Sequence, residues 1–301
     1  MRVLIAGATG AIGRPLVWQL TQAGHEVTGL ARDDKSARQL RDQGAKAEIA
    51  DALDGRAVHG AVARSAPDVV INQLTALPKR YTPETMKAAV PGDHRLRSDG
   101  GAKLQAAAAA AGAKRYILQS CAFWYEPGTG LADENSNLAV DTTPYISQGS
   151  RFYRDLENAA KAVPGPEVIF LRYGFLYGPG TWYARDGDAA EQVRQQQSPI
   201  VGDGRGVWSW VHVEDAAAAA VLALSRGTAG AYNIVDDDPS PVSAWLPAFA
   251  RWLRAPAPPQ ITLEQAGDPD FIYYGIRSRG ATNAKAKREL GFQPRRLEWL
   301  T

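Results

Sequence analysis

The sequence contains one cysteine, almost no net charge and no long hydrophobic run. Because Cys121 is alone among 301 residues, an intrachain disulfide is excluded and a reducing compartment is favoured. The 34 basic and 32 acidic side chains leave a formal net charge of +2, which indicates neither a nucleic acid nor an anionic membrane as partner. The alanine runs at 106–111 and 216–220 are too short to span a bilayer, and the N-terminus makes a poor signal peptide. We therefore predict a cytoplasmic protein.

Short apolar runs alternate with amphipathic stretches through the first half of the chain. Such alternation is typical of βαβ units, in which helices cover both faces of a parallel sheet. The predicted strands are 2–6, 26–30, 47–49, 68–72, 115–119 and 168–171, and the predicted helices are 15–23, 35–43 and 104–111. The pattern predicts an α/β fold built on a doubly wound parallel sheet.

A glycine-rich turn, GATGAIG at residues 7–13, joins the first predicted strand to the first predicted helix. Glycines at this spacing let the backbone turn tightly and approach a pyrophosphate, and the helix N-terminus offers free N–H groups to the phosphates. A purely structural turn is the alternative. We predict a Rossmann-type dinucleotide site whose phosphate contacts come from Gly7, Thr9, Gly10, Ala11, Ile12 and Gly13.

The end of the second predicted strand bears on which dinucleotide is bound. An acidic residue there hydrogen-bonds the ribose 2′-hydroxyl of NAD, but this chain has no acid at that point and continues with Arg32. A guanidinium matches a 2′-phosphate, with Arg14 or Lys35 as helpers, so we predict NADP(H) in preference to NAD(H). In the alternative, Arg32 is a solvated charge for which Asp33 and Asp34 compete.

The regular pattern loosens beyond about residue 175. Glycine, proline and tryptophan become frequent, and the segments 178–180, 202–206 and 256–259 carry loop signals. We predict a dinucleotide-binding domain over residues 1–175. Residues 176–301 are predicted to form mainly a smaller substrate-binding lobe, interleaved with the final elements of the Rossmann half.

Several further segments occur in the order typical of one known family. They are IADALD at 49–54, NQLTA at 72–76, RYGFLYGPG at 172–180, GDG at 202–204, VHVED at 211–215 and AKAKRELGF at 284–292. Together they resemble the extended short-chain dehydrogenase/reductase family, also called NAD-dependent epimerase/dehydratases. The resemblance suggests a homodimer, and we predict no metal site. The cofactor contacts that it implies are Asp51 and Ala52 at the adenine, Leu74 and Thr75 at the ribose, and Tyr173 and Phe175 at the nicotinamide.

The redox centre of that family is a Ser or Thr, a Tyr, and a Lys four residues after the Tyr. The Tyr exchanges a proton with the substrate oxygen, the Lys ammonium favours the phenolate, and the Ser orients the substrate. Ser120 is the candidate serine, and Tyr145 follows it by a family-like 25 residues. Aligning Tyr125 with a later Tyr-Gly pair of the family instead puts Cys121 at the serine position. Tyr125 is a further candidate acid.

The lysine of this trio is missing. Position 149 is Gly, and the alternative Tyr153 is followed four residues later by Glu157. Without the ammonium, Tyr145 is expected to keep a pKa near the usual value of about 10, which suits an acid or hydrogen-bond donor better than a base. Arg151 is a possible source of the missing charge. A tyrosine that merely packs at the cleft wall is the alternative.

Aromatic residues are frequent where the substrate is expected. Family members that act on nucleotide sugars carry an arginine shortly after the GDG segment, and Trp208 stands there in this chain. An indole removes diphosphate affinity and adds a flat apolar wall, although Arg205, Arg277 and Arg279 are possible replacements. The other cleft-side aromatic residues are Phe123, Trp124, Tyr125, Trp182 and Tyr183. They favour a flat or apolar small molecule, with core packing as the alternative.

These observations predict an NADP(H)-dependent oxidoreductase for a small, apolar or aromatic carbonyl or alcohol. The damaged trio keeps two alternatives open. One is a redox-neutral epimerase, dehydratase or isomerase that uses bound cofactor. The other is a non-enzymatic dinucleotide sensor that resembles the NmrA-type regulators.

Overall fold

The computed structural model describes residues 1–300, whose regular elements are interrupted by short loops. The strands are β1 (Arg2–Ala6), β2 (Glu26–Ala31), β3 (Lys46–Ile49), β4 (Val69–Asn72), β5 (Arg115–Cys121), β6 (Glu167–Tyr173), β7 (Phe175–Tyr177), β8 (Ile200–Val201), β9 (Val207–Trp208), β10 (Trp210–His212), β11 (Gly230–Ile234), β12 (Ser240–Pro241) and β13 (Gln260–Ile261). The helices are α1 (Gly13–Gln22), α2 (Asp34–Asp42), α3 (Gly55–Ser65), α4 (Pro83–Arg95), α5 (Gly101–Ala110), α6 (Pro144–Lys161), α7 (Asp188–Arg194), α8 (Val213–Leu222), α9 (Val242–Trp252), α10 (Leu263–Ala266) and α11 (Pro269–Ile272). Single π-helical turns occupy Leu96–Gly100, Tyr273–Arg277 and Ala286–Leu290.

A seven-stranded parallel sheet forms the centre, in the order β11-β6-β5-β4-β1-β2-β3. From β1 the chain winds outward to β3 on one side and then, through β4, outward to β11 on the other. The carboxyl ends of β1 and β4 therefore flank the switch point at which open α/β sheets bind ligands. The prediction of a doubly wound parallel sheet is confirmed.

Helices pack apolar side chains against both faces of this sheet, so its central strands are buried on both sides. On one face α1 packs against α8, and on the other α3 packs against α5. The predicted strands agree with the observed ones to within two residues at each end. Helices α3, α4 and α6 were not predicted, and strand β11, from the second half of the chain, joins the central sheet.

The remaining elements of the second half form a small lobe with an aromatic core. Three short strand pairs, β7 with β10, β8 with β13 and β9 with β12, are joined by α7 and α9. The buried aromatic residues of this core are Tyr177, Tyr183, Trp208, Trp210, Trp245, Phe249 and Trp299. No helix within residues 1–300 combines the length and the apolar character needed to cross a membrane.

The first glycine of the turn after β1 is required by contact as well as by conformation. Gly7 has a φ of +82°, and a Cβ there would lie 2.4 Å from the carbonyl oxygen of Gln73, at the end of β4. Gly24 has a similar φ of +76°, but a Cβ there would meet nothing within 4 Å. Gly24 therefore reports backbone strain alone, whereas Gly7 reports the same strain together with the close approach of β1 to β4.

This difference predicts unequal costs for two alanine substitutions. Gly24→Ala is expected to lower the free energy of unfolding by about 1 kcal/mol through left-handed strain alone. Gly7→Ala is expected to cost roughly 3 kcal/mol, because the methyl group also collides with a backbone atom. Urea denaturation of the protein without cofactor measures both. Equal losses in the two variants would contradict the close approach.

Candidate active site

The phosphate-binding turn has the geometry that a dinucleotide needs. A Cβ at Gly13 would lie 2.2 Å from the carbonyl oxygen of Gly7, so the helix can begin this close to β1 only with glycine. Helix α1 has no side-chain cap at its N-terminus and no acidic residue in its first turn. The N–H groups of Ala11, Ile12 and Gly13 donate no hydrogen bond within residues 1–300. Free donors at a helix N-terminus fit a pyrophosphate.

The residues expected near the adenosine half lie around the same edge of the sheet. Arg32 directly follows β2 and is exposed, and no ion pair of its guanidinium forms within the described chain. Asp33 caps α2 by accepting a hydrogen bond from the Ser36 N–H at 2.7 Å, an interaction that lowers its pKa. Its carboxylate is therefore used locally, and Arg32 stays available to a ligand. The helper Arg14 instead donates to the carbonyl of Thr9 at 3.0 Å.

Four further predicted contacts differ in exposure. Asp51 is exposed and accepts a hydrogen bond from the Leu53 N–H at 2.9 Å, and Ala52 is buried. Leu74 is half-buried and Thr75 is exposed, directly after β4. All four follow the carboxyl ends of β3 or β4, at the edge that also carries the glycine turn.

The two nicotinamide contacts implied by the family resemblance are placed differently. The side chain of Tyr173 is buried in the core, where its hydroxyl accepts from the Gln73 amide at 3.0 Å and donates to the Ala216 carbonyl at 3.3 Å. The hydroxyl of Tyr173 is therefore engaged within the core. Phe175 is half-buried and stacks on Trp208, with ring centroids 3.9 Å apart. Phe175 therefore belongs to the aromatic wall described below.

Helix α6 brings the predicted acid Tyr145 to the cleft. The helix begins at Pro144, and its first N–H groups are capped by the lobe rather than by a local side chain. Asp270 accepts from the N–H groups of Tyr145 and Ile146, each at 3.1 Å, and from the hydroxyl of Thr143. A carboxylate at this position also suits the positive end of the helix dipole. The lobe thereby fixes the position of Tyr145.

Tyr145 is a neutral hydrogen-bond donor in this environment. Burial, with smaller contributions from the nearby Tyr81 and Asp93, raises its pKa to about 12. The value is higher than the usual value expected from the sequence, because the absence of the lysine is combined with desolvation. Its hydroxyl makes no hydrogen bond within residues 1–300. The group can donate a proton or a hydrogen bond, and it is a poor base.

An indole occupies the place of the missing lysine. Gly149 lies one helical turn after Tyr145, and a Cβ there would come within 2.2 Å of Cζ3 of Trp124. Any side chain at 149 would therefore collide with the buried Trp124, whose ring meets that of Tyr145 edge-on at 6.0 Å. The candidate substitute Arg151 is instead half exposed, with Asp141 4.0 Å away. The ammonium is absent, and the packing leaves no space for one.

The structure places Ser120, the candidate catalytic serine, in a buried hydrogen-bond network. Its hydroxyl is buried and donates to the carboxylate of Glu157 at 2.7 Å. That carboxylate also forms a bidentate ion pair with Arg172, at 2.8 and 2.7 Å. Since Glu157 lies 12 residues after Tyr145 on the same helix, the two are about 18 Å apart along its axis. Ser120 therefore holds α6 on the sheet.

Cys121, the alternative at the serine position, lies on the side of Tyr145. Cys121 contributes to raising the pKa of Tyr145, and it packs in one cluster with Trp124 and Tyr153. Burial raises the pKa of the Cys121 thiol to about 12, with a contribution from Glu157. A neutral buried thiol does not act as a nucleophile, so Cys121 contributes only packing here.

The hydroxyl of Tyr125, the further candidate acid, is engaged inside the protein. It is fully buried, and its hydroxyl donates to the Asn233 side chain at 2.6 Å while accepting from Arg172 at 3.0 Å. Both partners belong to neighbouring strands, β11 and β6. Tyr125 therefore extends the hydrogen-bond network of Glu157 and Arg172.

A buried cation that the sequence did not point to lies beneath Cys121. Arg97 is 4% exposed and donates through Nε to Asp93 at 2.7 Å. Its guanidinium stands 5.5 Å from the ring centroid of Tyr153. The π-helical turn at Leu96–Gly100 interrupts the long helix between α4 and α5 at this residue, and such turns often occur at functional sites.

Stacked rings form one wall of the cleft. Phe175 lies between Phe123, at 4.8 Å, and Trp208, at 3.9 Å. The ring of Tyr274 meets Trp208 at 5.7 Å, and its hydroxyl accepts from Nε1 of Trp124 at 2.8 Å. Of the other aromatic residues predicted here, Trp182 stacks on Tyr81 at 4.5 Å, whereas Tyr183 is buried in the lobe core.

The arginines that were candidates to replace a diphosphate-binding arginine have other partners or face solvent. Arg205 contacts Asp203 at 3.3 Å, and Arg279 donates to the carbonyls of Thr129, Gly130 and Leu131. Arg277 is exposed. Trp208 itself is 8% exposed and donates through Nε1 to the backbone carbonyl of Tyr274 at 3.0 Å. The wall is therefore aromatic and carries little charge.

Sequence reasoning missed Tyr81, Arg97 and Tyr274. Each lies outside the motifs of the resembling family, in a helix or loop that had not been predicted. Trp124 was among the aromatic residues named from the sequence, but nothing in the sequence connected it with Gly149. Their contact becomes evident only when β5 and α6 are placed side by side.

Comparison with known proteins assigns the chain to a family. The sequence model of the NAD dependent epimerase/dehydratase family matches residues 3–235. The chain is 42% identical over 308 residues to 3-diazoavenalumate denitrifying reductase from a Streptomyces species, a match covering 99% of this chain and 98% of the relative.

Solved structures share the fold. UDP-glucose 4-epimerase from Thermotoga maritima, solved with UDP-glucose, superposes with a TM-score of 0.76 at 19% identity, covering 99% of this chain and 95% of that one. UDP-glucose 4-epimerase from Thermus thermophilus, solved with NAD, superposes with a TM-score of 0.73 at 23% identity, covering 99% and 96%.

The family resemblance and the prediction of an enzyme of the NAD(P)-dependent oxidoreductase and epimerase type are confirmed by these matches. A family match over most of the chain agrees with a reductase relative matched over almost its whole length. The protein is thus a member of the NAD dependent epimerase/dehydratase family.

Proposed function

We propose that this protein is an NADPH-dependent reductase that replaces the diazo group of a small aromatic compound with hydrogen. The observation that carries the proposal is the cleft itself: an aromatic wall faces a neutral tyrosine, and an indole fills the site of the lysine. The reductase relative is named for a denitrifying reaction on a diazo compound. The cleft suits that chemistry better than the carbonyl or alcohol chemistry that the sequence favoured.

The chain has the groups needed to hold a nicotinamide dinucleotide. The free amides of Ala11, Ile12 and Gly13 suit the pyrophosphate, and Arg32 suits a 2′-phosphate. Gly180 of the loop after β7 approaches Ala11, since a Cβ there would lie 3.7 Å from the Ala11 side chain. This loop therefore lies against the glycine turn, and Phe175 of the aromatic wall lies in β7, which leads into the loop. A bound nicotinamide supplies a hydride to the substrate.

Without the lysine, the site suits a hydride acceptor that needs no proton better than one that does. A carbonyl oxygen gains negative charge and needs a proton, which in the family comes from the tyrosine and lysine pair. An arenediazonium carbon needs no proton: the hydride's electron pair forms the new C–H bond, and the C–N pair leaves with dinitrogen. The chain's task is then to bind and orient the ring. The half-buried rings of Phe123 and Phe175 offer apolar contacts for it, and Trp208 supports Phe175 from the buried side.

Nucleotide-sugar chemistry is disfavoured by the same cleft. The solved structures at low identity were obtained with a nucleotide sugar or NAD, but those ligands are properties of those proteins. In this chain Trp208 takes the place of the expected arginine, and Arg205 and Arg279 contact their own neighbours. A redox-neutral epimerase or dehydratase also needs a base, and burial keeps Tyr145 protonated. A sensor without catalysis is disfavoured by the reductase relative.

A direct test compares two hydride acceptors. Purified protein with NADPH is incubated with 3-diazo-4-hydroxybenzoate or with a panel of aromatic aldehydes and ketones. We expect 4-hydroxybenzoate to form at least roughly 100-fold faster than without protein, because the cleft orients the ring. With NADPH deuterated at the transferring position, mass spectrometry should find deuterium on the carbon that carried nitrogen.

The outcome that contradicts this proposal is equally specific. Reduction of the aldehydes or ketones without enzymatic loss of dinitrogen from the diazo compound would favour the carbonyl reductase that the sequence predicts. Binding of NADPH with no turnover of either class would favour the sensor. Reactions without protein are the control, because diazonium compounds react with nucleophiles in solution.

Arg32 is proposed to select the 2′-phosphate. Arg32→Ala is expected to raise the dissociation constant for NADPH roughly tenfold and to leave that for NADH unchanged, because only NADPH carries the phosphate. Calorimetry measures both constants. The matched control is Arg38→Ala, which removes an exposed positive charge from α2 nearby. A preference that survives Arg32→Ala, or equal affinities in the natural protein, would defeat the assignment to NADPH.

The packing that excludes the lysine predicts opposite effects at two helical glycines. A Cβ at Gly92 in α4 would meet nothing within 4 Å, so Gly92→Ala is expected to stabilise the protein by up to about 1 kcal/mol. Gly149→Ala is expected to destabilise it by roughly 1–2 kcal/mol, because its methyl group displaces the indole of Trp124. Chemical denaturation gives both values. A stabilising Gly149→Ala would show that the indole does not fill the site.

A further inference from the structure

Two indoles hold Tyr274 in the cleft. Nε1 of Trp124 donates to its hydroxyl oxygen at 2.8 Å, and Nε1 of Trp208 donates to its backbone carbonyl at 3.0 Å. Both indoles stand where the sequence departs from the family, at the lysine site and at the position of the diphosphate-binding arginine. The same substitutions that removed two cations therefore fix one tyrosine.

The hydroxyl of Tyr274 keeps its own proton available for a ligand. Its oxygen accepts from Trp124, and its hydrogen has no acceptor within residues 1–300. Burial raises its pKa, and nearby Tyr81 and Tyr145 raise it further, so it is protonated at neutral pH. A hydroxyl that accepts one hydrogen bond is polarised toward donating another.

The neighbouring residue shows that this orientation is particular to Tyr274. Both residues lie in the π-helical turn Tyr273–Arg277. The hydroxyl of Tyr273 is buried and donates to the backbone carbonyl of Tyr125 at 2.7 Å. One tyrosine of the turn thus completes a structural hydrogen bond, whereas the next is left half-buried in the cleft with an unused donor.

A second unused donor lies close to the first. The hydroxyl of Tyr145 also has no hydrogen-bond partner within the described chain, and its ring packs edge-on against Trp124. Trp124 is therefore shared by both tyrosines, one through its ring and the other through its N–H. The cleft presents two neutral O–H donors beside a stack of aromatic rings.

We propose that Tyr274, together with Tyr145, donates a hydrogen bond to a phenolate oxygen on the substrate ring. The ring lies against the half-buried Phe123 and Phe175, and its oxygen reaches the two hydroxyls beside them. Paired neutral donors suit an anionic oxygen, since hydrogen bonds to charged acceptors are the stronger ones. The inference names the substrate class for the proposed reductase, a hydroxylated arene bound as its anion.

The proposed reaction gives this contact a chemical purpose. A ring that carries both a diazonium group and an oxide is neutral overall, and addition of hydride with loss of dinitrogen leaves a phenolate. Negative charge therefore increases on the oxygen during the step. Donors already oriented by Trp124 stabilise that charge without rearrangement. Protonation of the released phenolate by water completes the balance.

The test uses ligand binding, so that it is independent of turnover. Protein saturated with NADP⁺ is titrated with 4-nitrophenol, whose ionised form has its own absorption band, and with 4-nitroanisole, which cannot ionise. We expect the protein to bind 4-nitrophenol more tightly and to raise its ionised fraction. Tyr274→Phe is expected to weaken 4-nitrophenol roughly tenfold and to abolish the spectral change, with little effect on 4-nitroanisole.

Two variants control for structural damage. Tyr273→Phe removes a hydroxyl from the adjacent residue and is expected to lower the melting temperature without weakening 4-nitrophenol. Trp124→Phe keeps an aromatic ring but removes the N–H, and it is expected to weaken 4-nitrophenol by roughly threefold through loss of orientation. If Tyr274→Phe does not fold, the Trp124→Phe result decides.

The outcomes separate this inference from the proposed function. Equal binding of the two ligands by the natural protein, or unchanged 4-nitrophenol affinity in Tyr274→Phe, would overturn the role of Tyr274 even if diazo reduction is observed. Preferential binding of the ionised ligand that depends on Tyr274 supports the role even if no diazo compound is reduced, in which case only the proposed function fails.

Discussion

The buried ion pair between Glu157 and Arg172 is the interaction on which the geometry of the site depends. It joins α6 to β6, and through Ser120 the same carboxylate also binds β5. Both charges are nearly inaccessible to water, so removing one partner would leave the other uncompensated. Three helical turns earlier, Asp270 of the lobe caps the start of α6. The helix is held by the sheet at one end and by the lobe at the other.

The residues between these two anchors determine the chemistry. Tyr145 and Gly149 lie on one face of α6, and the rigid helix brings the backbone of Gly149 against Trp124. A lysine here would need the indole to leave, and the indole could leave only by giving up its hydrogen bond to Tyr274. Lysine and this tryptophan are therefore mutually exclusive at one point of the fold. The missing ammonium therefore reflects a different packing, in which Trp124 contacts Gly149 and hydrogen-bonds Tyr274, rather than the loss of a single residue.

The sequence was sufficient wherever function follows from local geometry. The positions of the glycine turn, the strand ends and Arg32 were predictable, because the spacing along one strand and one helix determines them, whereas their roles toward a cofactor stay predictions. The choice between Ser120 and Cys121 was not, since adjacent strand residues face opposite sides and a shift of one position exchanges them. The contact of Trp124 with Gly149 depends on how β5 and α6 pack, which no periodicity reveals. The pKa of Tyr145 exceeded expectation because burial by residues distant in sequence adds to the missing charge.

The exchanges at the lysine site and at Trp208 act in the same direction. Each replaces a hydrated cation by a ring, and each ring donates its N–H to Tyr274 rather than to a ligand. Removing charge lowers the polarity of the cleft, which raises the pKa of its tyrosines and strengthens the hydrogen bonds that they can still make. A pocket with cations would hold a phosphate and support proton removal. Oriented neutral hydroxyls instead suit the aromatic anion that we propose as substrate, and they leave proton transfer to solvent, as the proposed hydride addition to a carbon requires.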